Sequence, residues 1–98
     1  MAKYINSVRF LVKEDQQEAF ENLFKEPPGW VGLKLHVLSK TGERSYLSCG
    51  LWENEEAMKD ARPEMIDFLD KGRHLLDIIS PELGVTDPVS GPIIVEHN

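Results

Sequence analysis

The sequence predicts an α+β domain in which two helices cover one face of a four-stranded antiparallel sheet. Three observations lead to this prediction. Strand-forming residues cluster in four stretches, with hydrophobic and polar residues alternating in most of them. Two further stretches carry hydrophobic residues at helical spacing. The turn KTGE joins two of the alternating stretches directly, as in a β-hairpin.

The first strand and the first helix are predicted before residue 30. YINSVRFLVK is rich in Val, Ile, Phe and Tyr, and its Tyr4, Val8 and Phe10 share one face. Asp15 and Glu18 have the spacing of a capping box, which predicts the start of a helix. The PPG sequence that follows is expected to end this helix.

The next stretch, WVGLKLHVLSKTGERSYLSCGLW, predicts the hairpin that forms strands two and three. Strict alternation in strand two gives two faces: Val31, Leu33, Leu35 and Val37 on one, and Trp30, Gly32, Lys34 and His36 on the other. Strand three is divided in the same way: Leu47, Cys49 and Leu51 on one face, and Arg44, Tyr46, Ser48 and Trp52 on the other. The second face of strand three is unusually polar, which makes it a candidate pocket wall.

A second helical region is expected from about Asn54 to Ile79, with Asn54 as its N-cap. We expect Pro63 to break it into a short piece and a longer piece. Gly72 falls on the hydrophobic stripe of the longer piece, which suggests close contact with the sheet. A turn-rich connection then leads to a last strand at IIVEH. The resulting order, β-α-β-β-α-β, is the ferredoxin-like split βαβ arrangement.

Composition narrows the possible functions. Residues 1–98 are expected to form a single domain, and the net charge of −6 with no cluster of Lys and Arg argues against nucleic acid as a partner. The hydrophobic runs are too short to span a membrane. The absence of an N-terminal signal segment and the single cysteine, Cys49, predict a cytoplasmic protein.

Both faces of the sheet carry hydrophobic residues, although two helices can cover only one of them. A surface of that size is rarely left exposed on a monomer. We therefore expect a homodimer in which the two sheets face each other.

With these elements in place, the chain resembles the antibiotic biosynthesis monooxygenase-like proteins of the dimeric α/β-barrel superfamily. The residues that carry the resemblance are LWENEEAM, at the end of the third strand, and PELGVTDPVSGPIIV, which leads into the last strand. The resemblance covers nearly the whole chain in element order. It implies a small monooxygenase acting on an aromatic, phenolic or quinol-type substrate.

Members of this family that need no cofactor provide one set of expected site residues. Trp52 matches their tryptophan at the end of the third strand, and Ser48 stands where they have an asparagine. Met58 replaces their tyrosine, and Arg73 is a rough counterpart of their helical arginine. The mechanism that the resemblance implies is loss of a phenolic proton, followed by reaction of the electron-rich anion with oxygen.

The haem-degrading members provide the alternative. Asn6 and His74 lie near the positions of their strand asparagine and axial histidine, while their helical tryptophan has no counterpart. The alternative function is thus a non-catalytic protein, or one that binds haem or another small ligand.

The residues themselves add two candidates, His36 and Tyr46, whose strand face could hold a proton acceptor. Asn6 interrupts a hydrophobic strand face, so it is either hydrogen-bonded locally or directed into a pocket. No spacing of His, Cys or acidic residues predicts a metal site, and we expect no cofactor. The predicted substrate-binding residues are Trp52, Asn6, Ser48, Tyr46, His36 and Arg73.

Overall fold

The computed structural model describes residues 3–97 and has the predicted ferredoxin-like arrangement. One antiparallel sheet has the strand order β2-β3-β1-β4. The strands are β1 (Tyr4–Leu11), β2 (Leu33–Lys40), β3 (Ser45–Trp52) and β4 (Thr86–Pro92). The helices are α1 (Gln17–Leu23) and α2 (Glu55–Asp70), followed by a 3-10 turn, Arg73–Leu75. Among residues 3–97, no helix is long and hydrophobic enough to cross a membrane.

The helices cover the face of the sheet that the sequence marks as polar. In β3 the buried positions are Tyr46, Ser48, Gly50 and Trp52, while Leu47, Cys49 and Leu51 are only partly buried. Cys49 is thus only partly buried. Ring size explains why the helices cover the more polar face, because Tyr46 and Trp52 bury more surface than the aliphatic residues of the opposite face.

Two hydrophobic clusters lie between the covered face and the helices. The packed cluster surrounds Phe20 of α1 and consists of Phe10, Val12, Phe20, Tyr46, Leu75 and Leu76. The second cluster, which we call the tryptophan cluster, consists of Trp52, Met58 and Ala61. The second cluster is smaller, and it borders the candidate site described below.

A β-bulge changes the faces predicted for strand β2. Leu33 pairs with Trp52 and Leu35 pairs with Leu51, so Lys34 is an extra residue with no partner on β3. Because of the bulge, Leu33 before it and His36 after it both face the helices, whereas strict alternation placed them on opposite faces. Val31 lies before the strand and is 89% exposed.

The uncovered face of the sheet remains hydrophobic in part. Leu35, Val37 and Val89 are all exposed there, at 56%, 41% and 64%. Their cross-strand neighbours on the same face include Leu51 and Cys49. The face therefore presents the type of surface that led us to expect a dimer.

The starts of the two helices agree only in part with the predictions. Helix α1 begins at Gln17 without a side-chain cap, so the capping box predicted at Asp15 is wrong. Asp15 has φ of 67°, a turn conformation that places it outside the helix. Asn54 does cap α2, where its side-chain oxygen accepts a hydrogen bond of 2.9 Å from the Ala57 backbone N–H.

Pro63 does not break the second helix, which runs without interruption to Asp70 and ends earlier than predicted. A proline inside a helix costs about 3 kcal/mol. Packing on both sides of Pro63 offsets this cost, because Met58 and Ala61 before it belong to the tryptophan cluster and Met65 after it packs against that cluster. Gly72 lies beyond the helix, and a Cβ there would stand 2.7 Å from the Leu23 side chain rather than against the sheet.

The last strand also differs from the prediction. It is formed by TDPVSGP, which the sequence suggested was a turn, whereas Ile93 and the residues up to His97 lie outside the strand. Two prolines are tolerated in β4 because it is an edge strand, where a missing N–H removes no pairing with a further strand. Pairing with β1 at positions such as Val8 and Phe10 determines where the strand forms.

Candidate functional site

A cavity of about 430 Å³ lies between the covered face of the sheet and helix α2. Its volume is within the range of small-molecule binding sites. Most of its lining is hydrophobic or aromatic, with a few polar groups among them. The polar or charged lining residues are Asn6, His36, Ser48, Arg62 and Ser90.

One wall is fixed by a hydrogen bond between Trp52 and Asn6. The Trp52 indole N–H donates to the Asn6 side-chain oxygen at 2.6 Å, and the indole is fully buried. Gly50 lies directly beside this pair, since a Cβ on Gly50 would stand 2.6 Å from the same oxygen. The glycine therefore provides the space in which this hydrogen bond forms.

The hydrogen bond also determines which way the Asn6 amide points. An indole N–H can only donate, so the amide oxygen must face Trp52 and the NH2 group must face the other way. That NH2 group lies 3.9 Å from the Met65 sulfur, which is a weak acceptor. Since Asn6 and Met65 both line the cavity, Asn6 presents an oriented donor to it.

His36, on strand β2, lies among aromatic rings of the same site. Its ring stacks on Phe24 at 5.8 Å between centroids and lies 5.9 Å from the ring of Trp30. Burial lowers the pKa of His36 from its ordinary value of 6.5, because the charged imidazolium loses hydration. At neutral pH the ring is therefore uncharged and has one nitrogen that can accept a proton.

Flat aromatic surfaces form much of the remaining wall. Trp30 stacks on Trp52 with 6.1 Å between centroids and 10° between ring planes. Phe68 of α2 meets Phe24 and Trp30 edge-on at 5.0 and 5.9 Å. The site thus offers stacking and edge contacts to a planar ligand.

The structure brings together four of the six residues predicted to bind substrate. Trp52, Asn6, Ser48 and His36 all line the cavity. That they bind a substrate remains a prediction.

Tyr46 and Arg73 lie elsewhere. Tyr46 belongs to the packed cluster, and its hydroxyl donates to Glu21 at 2.5 Å. Arg73 lies in the 3-10 turn, where it pairs with Asp70 at 2.7 Å. Tyr46 lies outside the cavity because its ring makes hydrophobic contacts in the packed cluster. Arg73 lies outside it because helix α2 ends at Asp70, before Arg73 is reached.

Several lining residues were not predicted. Trp30, Phe24 and Phe68 supply the aromatic wall, and Arg62 supplies a cation from helix α2. The sequence offered one signal for Arg62, because it lies four residues after Met58 on the same helical face. Trp30 could not have been found in this way, since its position depends on the path of the loop after the PPG sequence.

The residues do not fit a haem site of the type that the resemblance suggested. His74 is exposed in the 3-10 turn and does not line the cavity. Among residues 3–97, no group of three or more His, Cys, Asp or Glu side chains is arranged to hold a metal ion.

No family model matches the sequence, and no curated protein matches it. Solved structures do match over the full length. A candidate antibiotic biosynthesis monooxygenase from Chloroflexus aurantiacus is 15% identical, with a TM-score of 0.76, and the match covers 99% of this chain and 98% of that one. A variant of SnoaB, a cofactor-independent oxygenase from Streptomyces nogalater, is 17% identical, with a TM-score of 0.73 and coverage of 98% and 97%.

A dimeric ferredoxin-like protein from an uncultured marine organism is 16% identical, with a TM-score of 0.74 and coverage of 100% and 93%. The structural neighbours thus include antibiotic biosynthesis monooxygenase proteins, as the resemblance predicted. At these identities the likeness establishes the fold that this chain shares with them. The substrate and the activity have to be argued from the site itself.

Proposed function

We propose that the chain is a small monooxygenase that needs no cofactor and oxidises a phenolic or quinol-type ring in this cavity. The observation that carries the proposal is the position of His36 between aromatic rings, in the same cavity as the oriented Asn6 amide. The fold that the chain shares with SnoaB, a cofactor-independent oxygenase, supports the proposal. We also propose that residues 1–98 form one domain.

Substrate binding rests on the aromatic walls. A flat ring stacks on or packs edge-on against Trp30 and Phe68, which already meet each other edge-on. The Trp52 indole N–H is engaged by Asn6 and the ring is fully buried, so Trp52 orients the Asn6 amide rather than donating a hydrogen bond to the ligand. The polar group of the ligand is left to His36, Ser48 and the Asn6 NH2 group.

The first chemical step is removal of the phenolic proton by His36. Burial keeps the imidazole uncharged, which makes it available as a base near neutral pH. The Asn6 NH2 group donates to the phenolate oxygen and stabilises its negative charge.

The electron-rich ring then reacts with oxygen. One oxygen atom is added to the ring, and the other leaves as water with two hydrogens of the substrate. Phenol and O2 thus give quinone and H2O, and the substrate itself supplies the two electrons that reduce the second oxygen atom.

Oxygen uptake tests this proposal. Purified protein with 1-naphthol should consume O2 faster than 1-naphthol alone, and mass spectrometry with 18O2 should show one labelled oxygen in the quinone. His36→Gln should lower the rate about 100-fold or more, the usual contribution of a general base. His74→Gln is the matched control, because His74 is exposed and outside the cavity.

Uptake equal to the protein-free rate across a panel of phenols and quinols would reject the activity. An equal rate for wild type and His36→Gln would reject the role of His36 while leaving the activity in place.

A second candidate is a non-catalytic protein that binds a small aromatic ligand. One observation favours it: Trp52 and Asn6 satisfy each other, so the strongest sequence link to the monooxygenases is here a structural pair. Calorimetry that detects 1-naphthol binding, together with no oxygen uptake, would select this candidate.

We also propose a homodimer formed through the uncovered face of the sheet. The exposed hydrophobic residues there, including Leu35 and Val37, support it, as does the dimeric state of one structural neighbour. Sedimentation equilibrium should give twice the chain mass of 11.2 kDa. Val37→Glu should shift the protein towards monomer, whereas Val31→Glu, at an exposed position outside the sheet, should not.

A further inference from the structure

A second cavity, of about 390 Å³, lies beside the first at the edge strand β2. It is formed by the loop between α1 and β2 together with the first residues of β2. Its lining residues are Phe24, Lys25, Pro27, Pro28, Gly29, Trp30, Leu33, Lys34, Leu35 and His36. Phe24, Trp30 and His36 belong to both cavities and form the wall between them.

The charge of this cavity is opposite to that of the protein. The chain has a net charge of −6, yet the charged residues that line the cavity are two lysines, Lys25 and Lys34. Neither lysine is among the salt bridges of residues 3–97, all of which involve other cations. Glu26 is next to Lys25 in the chain but does not line the cavity. The two ammonium groups are therefore available to an anion.

The backbone places Lys34 at this cavity. Lys34 is the extra residue of the β-bulge between Leu33 and Leu35, and a bulge commonly redirects a side chain beside a functional site. Because of the same bulge, His36 faces the helices and joins the shared wall. The β-bulge thus positions a lining residue of the second cavity, Lys34, and a residue shared by both cavities, His36.

The loop that forms the other side has little freedom. Pro27 and Pro28 have φ angles that are restricted by their rings. Gly32 also packs closely on α2, since a Cβ there would stand 2.5 Å from the Ala57 Cβ. The wall that contains Trp30 is accordingly formed before any ligand arrives.

We propose that the second cavity is a separate binding site for an aromatic carboxylate. The ring lies against the Trp30 side of the cavity among Pro27, Pro28 and Leu33, and the carboxylate lies between Lys25 and Lys34. Cationic side chains beside an aromatic wall select this class of ligand over a neutral phenol, which gains nothing from the two charges. Ligand binding at this site does not require oxidation in the first cavity, although the two cavities share the wall formed by Phe24, Trp30 and His36.

Titration of the full-length protein with 2-naphthoate and with 2-naphthol at low and high salt tests this proposal. We expect 2-naphthoate to bind the wild type, with an affinity that falls as salt is added. The double variant Lys25→Met/Lys34→Met should bind it about three- to tenfold more weakly, since each exposed charge pair contributes modestly. Binding of 2-naphthol should be unchanged by the double variant.

The matched control is Lys13→Met/Lys71→Met, which removes the same net charge from exposed positions outside both cavities. It should bind 2-naphthoate as the wild type does. NMR titration should show shifts at the Trp30 indole N–H and at the Lys34 backbone amide.

Absence of 2-naphthoate binding would overturn the proposal, and so would an equal loss of affinity in the two double variants. Failure of 2-naphthol to bind, with 2-naphthoate bound as expected, would count against the proposed function of the first cavity alone.

Discussion

The two ends of the covered sheet face differ in how they are filled. At the end near α1, Phe10, Phe20 and Tyr46 pack into a continuous aromatic cluster, with Phe20 and Tyr46 at 5.2 Å. At the end near α2, Trp52 packs on Met58 and Ala61, and about 430 Å³ remains open beside them.

Polar groups follow the same division. Tyr46 in the packed cluster has a partner within the chain, Glu21, whereas His36 and the NH2 group of Asn6 face the cavity. The first end mainly stabilises the fold. The second end leaves hydrogen-bonding capacity available to a ligand, and so we place the function there.

Truncation of one aromatic ring at each end gives the largest expected effect. Phe20 is 1% exposed and contacts three other aromatic rings. Phe20→Ala should lower the free energy of unfolding by about 3–5 kcal/mol. Phe68→Ala should cost only about 1–2 kcal/mol, because Phe68 is partly exposed and already borders open space.

Urea denaturation of both variants measures the difference. Equal losses would mean that the α2 end is packed as tightly as the α1 end, and the distinction between the two ends would then be lost.

A smaller effect is expected from the glycine that makes room for the Trp52–Asn6 hydrogen bond. Gly50→Ala places a methyl group 2.6 Å from the Asn6 oxygen and 3.0 Å from the Trp52 indole nitrogen. Overpacking of this type costs about 1–3 kcal/mol. Gly91→Ala is the matched control, because a Cβ there meets nothing within 4 Å.

Thermal or urea unfolding of the two alanine variants compares them directly. If Gly50→Ala were as stable as Gly91→Ala, the Asn6 amide would have to be free to move. Its fixed orientation towards the cavity would then be contradicted.

The smallest effect is a pH dependence at the cavity end. Burial lowers the pKa of His36 in the folded protein, so the unfolded chain takes up a proton at higher pH than the folded one. The contribution of His36 to stability is complete above the ordinary pKa of 6.5. It falls as the pH drops through the pKa of the folded state. His36→Gln should reduce the loss of stability between about pH 7 and pH 5.

Urea midpoints at several pH values, for the wild type and for His36→Gln, measure this effect. His74→Gln again serves as control, because this exposed histidine lies outside both cavities. If the urea midpoint changed with pH equally in the wild type and in His36→Gln, the imidazole would be well hydrated in the folded protein. The case for a buried base would then fail.

The packed end shows the opposite response at alkaline pH. Burial, together with the hydrogen bond to Glu21, raises the pKa of Tyr46 to about 12. Stability from this phenol is present below its ordinary pKa of 10 and is lost as the pH rises towards 12. We expect Tyr46→Phe to reduce the loss of stability at alkaline pH, as measured by urea denaturation. Tyr4→Phe is the comparison at the other end of the covered face.

The order of strands and helices was predictable because it depends on local signals. Alternation in β3, the KTGE turn and the Asn54 cap each act within a few residues, and all three agree with the structure, whereas alternation in β2 is interrupted by the bulge. Four cavity residues, Trp52, Asn6, Ser48 and His36, were also found in advance, partly through the resemblance. These features could be predicted from the sequence because each depends mainly on residues that are close together in it.

Other features depend on contacts between residues that are far apart in sequence. TDPVSGP is a poor strand by composition, but pairing with β1 makes it β4, while IIVEH finds no place in the sheet. Packing of Met58 and Met65 against Trp52 and its neighbours offsets the cost of Pro63. The bulge at Lys34 forms only when β2 pairs with β3.

The candidate site belongs mostly to this second group. Trp30, Phe24 and Arg62 come from three separate segments, and no periodicity within one segment shows that they meet. Tyr46 lies outside the cavity for the same reason, since its ring packs on Phe20 and its hydroxyl donates to Glu21. Local propensity determines which elements form. Burial and pairing between distant segments determine which side chains share a cavity, because only the folded chain brings those segments within contact distance.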